Sequence, residues 1–455
     1  MENNSSIYFL GIGGIGMSAL ARYFLAKGYK VAGYDKTPSH ITDALTKEGA
    51  EIAFNEAPSL IPTYCKDKNS TLVVFTPAVP ETHEGFSFFR NNGFEMVKRA
   101  KLLGMITRNS RALCIAGTHG KTTTSGMLAH ILAQSPIGCN AFLGGILKNY
   151  NSNLILSDHS DFTVIEADEY DRSFHQLSPY MAVITAADPD HLDIYGTEEA
   201  YLESFAHFTS LIKQGGILLM KTGLNVKPRL AEGVKCMTFG VENGDFYAQN
   251  IKIGRGEIVF DFVTPDGVIK DINPGVPIKI NIDNAIAAMA IAHLNGISDN
   301  DIRRAIGSFK GAERRFDFWI KGDKTVLLDD YAHHPDEVRA SLQSVRELYP
   351  DKHITVIFYP HLYTRTRDFA PQFAESLSLA NRVILLPIYP AREEPIEGVT
   401  SKIILDKLTC NEKEICSKEM LLERIKEGDF ELLMTMGAGD VDRFLPYIKD
   451  ILENR

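Results

Sequence analysis

The chain has little that would take it out of water or into an oxidising compartment. Nowhere in its 455 residues does an apolar run approach the ~18 residues of a membrane-spanning helix. The opening MENNSS lacks both a basic stretch and an uninterrupted apolar one, so no secretory signal is expected and the cytoplasm is the expected location. The cysteines, at 65, 114, 139, 236, 410 and 416, include no CxxC pair and no zinc-finger spacing. That excludes a disulfide framework and a zinc ribbon, and free, partly buried thiols are expected. Basic residues are outnumbered, 48 Lys and Arg against 58 Asp and Glu for a net charge of -10. Sequence-independent binding along a nucleic-acid backbone needs clustered cations, so any phosphate here must be bound locally. Low-complexity tracts and repeats of solenoid period are also missing.

What is there, 44% hydrophobic and 23% charged residues, is the composition of a globular protein. Apolar strand-like runs alternate with segments of helical period, which predicts an α/β fold with parallel sheets and crossover helices. Ser6 to Leu10 reads as a strand, Gly11 to Gly16 as a turn, Met17 to Lys27 as a helix and Lys30 to Tyr34 as the next strand. A fresh strand, Ala112 to Ala116, follows the polar stretch Thr107 to Ser110 and runs through a glycine turn into a helix from about Lys121. Between about 245 and 272 apolar and polar residues alternate around Pro265-Asp266-Gly267, as in a hairpin with one wet face. From Thr325 the βα rhythm resumes. Three domains follow: 1–109, Rossmann-like; 110–318, a parallel sheet with a small antiparallel annex; and 319–455, again Rossmann-like.

The strongest local signal is Gly117-Thr118-His119-Gly120-Lys121-Thr122-Thr123-Thr124 between a strand and a helix. Backbone N–H groups of such a loop cradle phosphates, the Lys reaches β/γ-oxygens and the Thr hydroxyl binds Mg²⁺. Ile115 stands where the full motif has its first glycine, and a bland strand-turn-helix junction is the alternative. Phosphoryl transfer also needs carboxylates on the metal, and Glu166-Ala167-Asp168-Glu169 ends an apolar strand where such an acid belongs, with Glu166 the expected ligand. His191, in Asp188-Pro189-Asp190-His191-Leu192-Asp193, is either a loop residue or a ligand of a second metal. Gly11-Ile12-Gly13-Gly14-Ile15-Gly16, with Asp35 ending the next strand, satisfies GxGxxG and offers a helix N-terminus to a diphosphate. NAD and a nucleotide sugar fit that motif equally, and the phosphate loop in the same chain favours UDP. Asn281 and Asn284 are either an N-cap pair or nucleotide contacts, and Arg314-Arg315 either surface ion pairs or a guanidinium on the ATP phosphates. Asp330-Tyr331-Ala332-His333-His334 and Tyr363-Thr364-Arg365-Thr366-Arg367 each follow a strand and so fall on one ligand-binding edge.

Taken in order, GIGGIGMSALA, GTHGKTTT, EADEYDRSF, DPDHLDIYG, NIDNAIAA, ERRFD, DDYAHHPDE, YTRTRD, YPAREEPIEGVTS and MGAGD resemble the muramyl ligases over essentially the whole chain. The resemblance implies an ATP-dependent, amide-forming ligase of peptidoglycan synthesis, a monomer or homodimer that closes its third domain over the site. It implies ATP, two Mg²⁺, UDP-N-acetylmuramate and L-alanine as the bound species, with YTRTRD closest to the alanine-adding branch. Gly11, Gly13, Gly14, Ile15 and Gly16 would hold the UDP substrate, and Gly117 to Thr123 the ATP phosphates. Lys121 and Thr122 would bind phosphate and metal, Glu166 and His191 the metals, and Asn284, Arg315 and Asp330 the ATP. His333 and Arg365 would lie by the incoming amino acid. Ile280 and Leu362 stand where the family often has His and Arg. A branch that attaches a whole tripeptide, an NAD-dependent dehydrogenase and a nucleotide switch are the competing readings.

Overall fold

The computed structural model describes residues 5–189, 192–254, 256–391 and 393–454, and the expected ligand His191 lies outside them. Three sheets are present in two compact units. Met1–Asn250, Phe260–Ile272 and Ile280–Lys310 form the first; Ile251–Val259, Asn273–Lys279 and Gly311–Arg455 form the second.

In the first unit, β1 (Ser6–Leu10), β2 (Lys30–Tyr34), β3 (Glu51–Ala53), β4 (Thr71–Phe75) and β5 (Glu95–Lys98) form a parallel sheet in the order β3-β2-β1-β4-β5. All five residues of β1 are buried, because helices cover both faces of such a sheet and its central strand reads as a continuous apolar run. The chain leaves β1 to one side for β2 and returns to the other for β4. Beside β1 it therefore opens a crevice at the strands' C-terminal ends, where Gly11 to Gly16 turn into the helix Ile15–Ala26.

The second sheet comprises β6 (Arg111–Ala116), β7 (Asn140–Leu147), β8 (Ser152–Ile155), β9 (Phe162–Glu166), β10 (Met181–Ile184), β11 (Ile217–Lys221), β12 (Lys235–Gly240), β13 (Phe246–Gly254), β14 (Glu257–Thr264) and β15 (Gly267–Ile272). Its order is β15-β14-β13-β12-β11-β10-β6-β9-β7-β8. The parallel middle gives way to the antiparallel pair β14 and β15, joined through Pro265 and Asp266. Alternate residues of β14 are buried, as one wet face requires. On the central part lie two helices, Lys121–Ala133 and Ile280–Leu294. Both are apolar almost all round, so both are buried rather than merely docked by one stripe.

The second unit holds β16 (Asp317–Lys321), β17 (Val326–Asp330), β18 (Ile354–Phe358), β19 (Arg382–Leu385), β20 (Glu412–Ile415) and β21 (Leu432–Met436), ordered β16-β17-β21-β18-β19-β20. Only the edge strand β16 is antiparallel to its neighbour. The loops after β17, β18 and β21 emerge side by side, which brings Tyr331, His361 and Gly437 to one edge. This third sheet begins at Asp317, two residues before the expected boundary.

Candidate active site

The phosphate loop is shaped by what its glycines lack. Gly117 has φ +143°, and a Cβ there would lie 2.1 Å from Thr185 Oγ1; Gly120 has φ +84°, with Asn284 Oδ1 at 2.5 Å from such a carbon. A larger residue would be strained at either position and would fill the cradle. Thr185 fixes the loop from below, its hydroxyl donating to the carbonyls of His119 at 2.5 Å and Ala116 at 3.2 Å. Thr118 Oγ1 lies 2.8 Å from both Asp188 O and Tyr201 OH. These contacts leave the backbone N–H groups at the start of the helix Lys121–Ala133 without side-chain caps, and a triphosphate fits that cradle.

Lys121 is folded back. Its Nζ donates to Gly117 O at 2.6 Å and to Glu169 at 2.8 Å. Glu169 is buried, and burial pushes its carboxyl up while Lys121 opposes the shift. The backbone carbonyl of Glu169 accepts from Tyr195 OH at 2.5 Å. Glu166 is oriented differently, accepting the Gly144 N–H at 3.1 Å, where a Cβ on residue 144 would come within 2.2 Å of its carboxylate. Asp168 faces the Arg99 guanidinium at 3.3 Å. The three acids of one tetrapeptide thus have three distinct partners, and sequence reasoning singled out only Glu166. Thr122 and Thr123 are half-buried at the helix start, while His119 is exposed. Among the described residues no three His, Cys, Asp or Glu side chains gather as a metal site.

Asn281 and Asn284 are not N-caps, as one reading allowed. Asn281 sits in the first turn of Ile280–Leu294 and Asn284 just past it, and both are buried. Asn284 accepts from Thr124 Oγ1 at 3.1 Å and donates to Asn281 at 3.0 Å, which pins this helix to the phosphate-loop helix. Lys213, the first lysine after the segment YLESFAHF, donates to the carbonyls of Thr107, Arg108 and Ser110.

Next to Glu166 a cleft of about 670 Å³ runs along the glycine loop, lined by Gly11, Gly14, Ile15, Gly16, Arg99 and Gly144 among others. Gly13 N–H donates to Asp35 Oδ2 at 2.8 Å, and Thr37 N–H to Oδ1 at 3.2 Å. The carboxylate that would take a ribose hydroxyl in the NAD reading is therefore held on the loop's own backbone. Ile15 opens a helix whose Gly14 N-cap supplies no side-chain acceptor. A diphosphate fits there as it does on the phosphate loop.

In the second unit, Asp330 accepts a hydrogen bond from Ser341 Oγ, and burial pushes its carboxyl up. His333 Nδ1 lies 2.9 Å from Tyr331 O, which places its proton there and leaves Nε2 as an acceptor; burial lowers its pKa. Glu337 takes the backbone N–H groups of His333 and His334. The His333 and His361 rings stand edge to face, centroids 5.9 Å apart. Arg365 is half-buried, and its Nη1 is buried without a hydrogen-bond partner. Leu362, just before its helix, holds φ +72°, a strained value for a bulky residue and a mark of a constrained site. The two adjacent arginines separate cleanly. Arg314 is tied to Asp329 at 3.2 Å and to the carbonyls of Gly437 and Gly439, whereas Arg315 is exposed, 5.4 Å from the Tyr331 ring.

Family comparisons agree with this layout. Residues 6–111 match the model described as Mur ligase family, catalytic domain; 115–292 match the Mur ligase middle domain; 314–439 match the Mur ligase, glutamate ligase domain. A UDP-N-acetylmuramate--L-alanine ligase of Parabacteroides distasonis is 62% identical over 98% of this chain and 97% of its own length. One from Porphyromonas gingivalis is 53% identical over 98% and 99%. Among solved structures, the UDP-N-acetylmuramate-alanine ligase of Thermotoga maritima superposes with a TM-score of 0.82 at 27% identity, covering 99% of this chain and 98% of that one. A murein peptide ligase of Psychrobacter arcticus, at 21% identity and TM-score 0.70 over 99% of both chains, shares the fold. The chain belongs to the Mur ligase family.

Proposed function

We propose that this chain joins L-alanine to the carboxylate of UDP-N-acetylmuramate with ATP, releasing ADP and phosphate. The observation that carries the reading is the arrangement of the Glu166–Glu169 loop. Glu166 lines the cleft along the glycine loop, while Glu169 meets Lys121 of the phosphate loop. A carboxylate held in the cleft and a triphosphate held on the loop would be brought together there.

In this reading the muramate carboxylate attacks the γ-phosphorus and ADP leaves; the alanine amine then attacks the acyl phosphate and phosphate leaves. Lys121 would turn from Glu169 to the β/γ-oxygens, where its charge offsets the negative charge of the transferring group. Thr122, Glu166 and His191 are the residues assigned to Mg²⁺, which supplies further charge neutralisation when bound. Asn284, Arg315 and Asp330 are assigned to ATP. His333 and Arg365 are assigned to alanine, because a buried guanidinium N–H without an acceptor suits an amino-acid carboxylate. Residues 1–109 would then bind the nucleotide sugar, 110–318 ATP, and 319–455 the amino acid.

The test is phosphate release from ATP and Mg²⁺ with UDP-N-acetylmuramate, comparing L-alanine with L-Ala-D-Glu-diaminopimelate. Release with alanine, and a product heavier by one alanyl unit, is expected. Release with the tripeptide alone would replace the proposal by the tripeptide-attaching activity.

A further inference from the structure

The proposed ligation joins two ligands held on different sheets. The glycine loop 11–16 leaves the first sheet and the phosphate loop 117–123 the second, while the cleft beside Glu166 takes its lining from both. A carboxylate attacks a phosphorus only from about 3–3.5 Å and in line, and a misplacement of about 1 Å costs on the order of 100-fold in rate. The spacing of the two loops therefore has to be fixed. The helix Ile15–Ala26, which starts on the glycine loop, lies against β7 and β8, and its Tyr23 ring meets the Phe142 ring with centroids 5.3 Å apart. Apolar contact of this kind is non-directional, so it tolerates a slide along the helix axis.

One buried side chain supplies the direction. Asn153 of β8 is fully buried; its Nδ2 donates to Ile15 O at 2.6 Å and to Ser18 Oγ at 3.0 Å, both at the start of that helix. Its Oδ1 accepts from Arg22 Nη1, one turn further on. A guanidinium only donates and a backbone carbonyl only accepts, so these partners settle which way the amide points. Arg22 is held in turn by both carboxylate oxygens of Glu48, at 3.0 and 2.9 Å. The other strand of the same hairpin reaches the chemistry: β7 pairs with β8 and carries Gly144, whose N–H holds the Glu166 carboxylate. One two-stranded bracket thus touches Glu166 with one arm and the start of the glycine-loop helix with the other. We infer that Asn153 is a positioning residue of the ligation, acting through the helix Ile15–Ala26 to set the spacing between the two bound substrates. It does not itself line the cleft. This rests on the proposed function, with the diphosphate on residues 11–16 and the triphosphate on 117–123.

Three variants separate spacing from folding. Asn153→Asp keeps the size and the acceptor for Arg22 but turns the donor facing Ile15 O into an acceptor; Asn153→Ala removes every contact; Ser18→Ala removes one of the two groups that accept from Nδ2. Each full chain is titrated calorimetrically with UDP-N-acetylmuramate and, separately, with a non-hydrolysable ATP analogue and Mg²⁺, and the number of binding sites counts the competent chains. Alanine-dependent phosphate release is then expressed per competent chain. Both nucleotides should bind within about twofold of wild type, because each is held on its own sheet, while kcat should fall by about tenfold or more in both Asn153 variants and several-fold in Ser18→Ala. A residue that only held the fold would lower the melting temperature and the count of sites and leave kcat per site unchanged. Wild-type kcat per site in every variant that folds overturns the spacing role, and so does a loss confined to UDP-N-acetylmuramate affinity. Should neither Asn153 variant fold, Ser18→Ala carries the test. Wild type that forms no alanyl product overturns the ligation reading itself, and the spacing role with it, before any variant is compared.

Discussion

Lys121 is paired with a buried carboxylate, so an incoming triphosphate must outcompete Glu169 for it. Lys121→Ala removes the cation proposed to offset the charge of the transferring phosphoryl group and should lower kcat by orders of magnitude while UDP-sugar affinity stays near wild type. Turnover assays with parallel calorimetry check this, and undiminished turnover would remove the lysine from the chemistry. Arg365→Ala should act on a different constant, raising the KM for alanine about 10- to 100-fold through loss of a charge-assisted hydrogen bond. An unchanged KM would place the amino-acid site elsewhere. How far such residues are readable depends on whether spacing or partner choice defines them. The phosphate loop is legible because its glycines are demanded by backbone geometry. Which carboxylate of Glu166-Ala167-Asp168-Glu169 meets Lys121 is not, since each finds its partner on a different, distant segment: Gly144, Arg99 and Lys121. Arg314 and Arg315 are equally indistinguishable until the carbonyls of Gly437 and Gly439 arrive from the far end of the chain.

Strand and helix order was largely legible, because parallel strands covered on both faces are apolar runs and crossover helices carry their own period. The elements that escaped are the exceptions to that rule. The strand Glu412–Ile415, EKEI, lies at a sheet edge and is mostly exposed, so it has no apolar run to show. Asn281 and Asn284 look like caps but lie inside a helix that already begins at Ile280, one residue before Asn281 and four before Asn284. The phosphate-loop helix also carries a pH-sensitive element. His130 bridges Tyr150 OH at 2.8 Å and Ser308 Oγ at 2.9 Å, and burial lowers its pKa from 6.5 to about 4. The unfolded chain takes up this proton below about pH 6.5 and the folded chain only near 4. Its contribution is therefore intact above pH 6.5 and lost as pH falls towards 4, by an amount of order 3 kcal/mol. Urea unfolding at pH 7.5 and pH 5 should show a steeper loss for wild type than for His130→Gln; equal losses would clear His130 of the effect.

At the scale of the molecule, the residues lining the cleft along the glycine loop all belong to the first unit. UDP-N-acetylmuramate at about 100 times its Kd should add about 2.7 kcal/mol to that unit's unfolding. Scanning calorimetry should show the gain as an upward shift in melting, and no shift would remove the cleft as the binding place. No helix among the described residues is long and apolar enough to cross a membrane. The division of the chain has a consequence for heredity and engineering. Its path changes unit after residues 250, 259, 272, 279 and 310, so the chain has five junctions where three successive sheets would need two cuts. A gene segment from residue 311 onward would leave two short pieces of the second unit behind, each one then matched to a body it did not evolve with. Exchanging that unit between relatives is a multi-crossover event, and chimeras made at a single splice should inherit mismatched seams at 251–259 and 273–279.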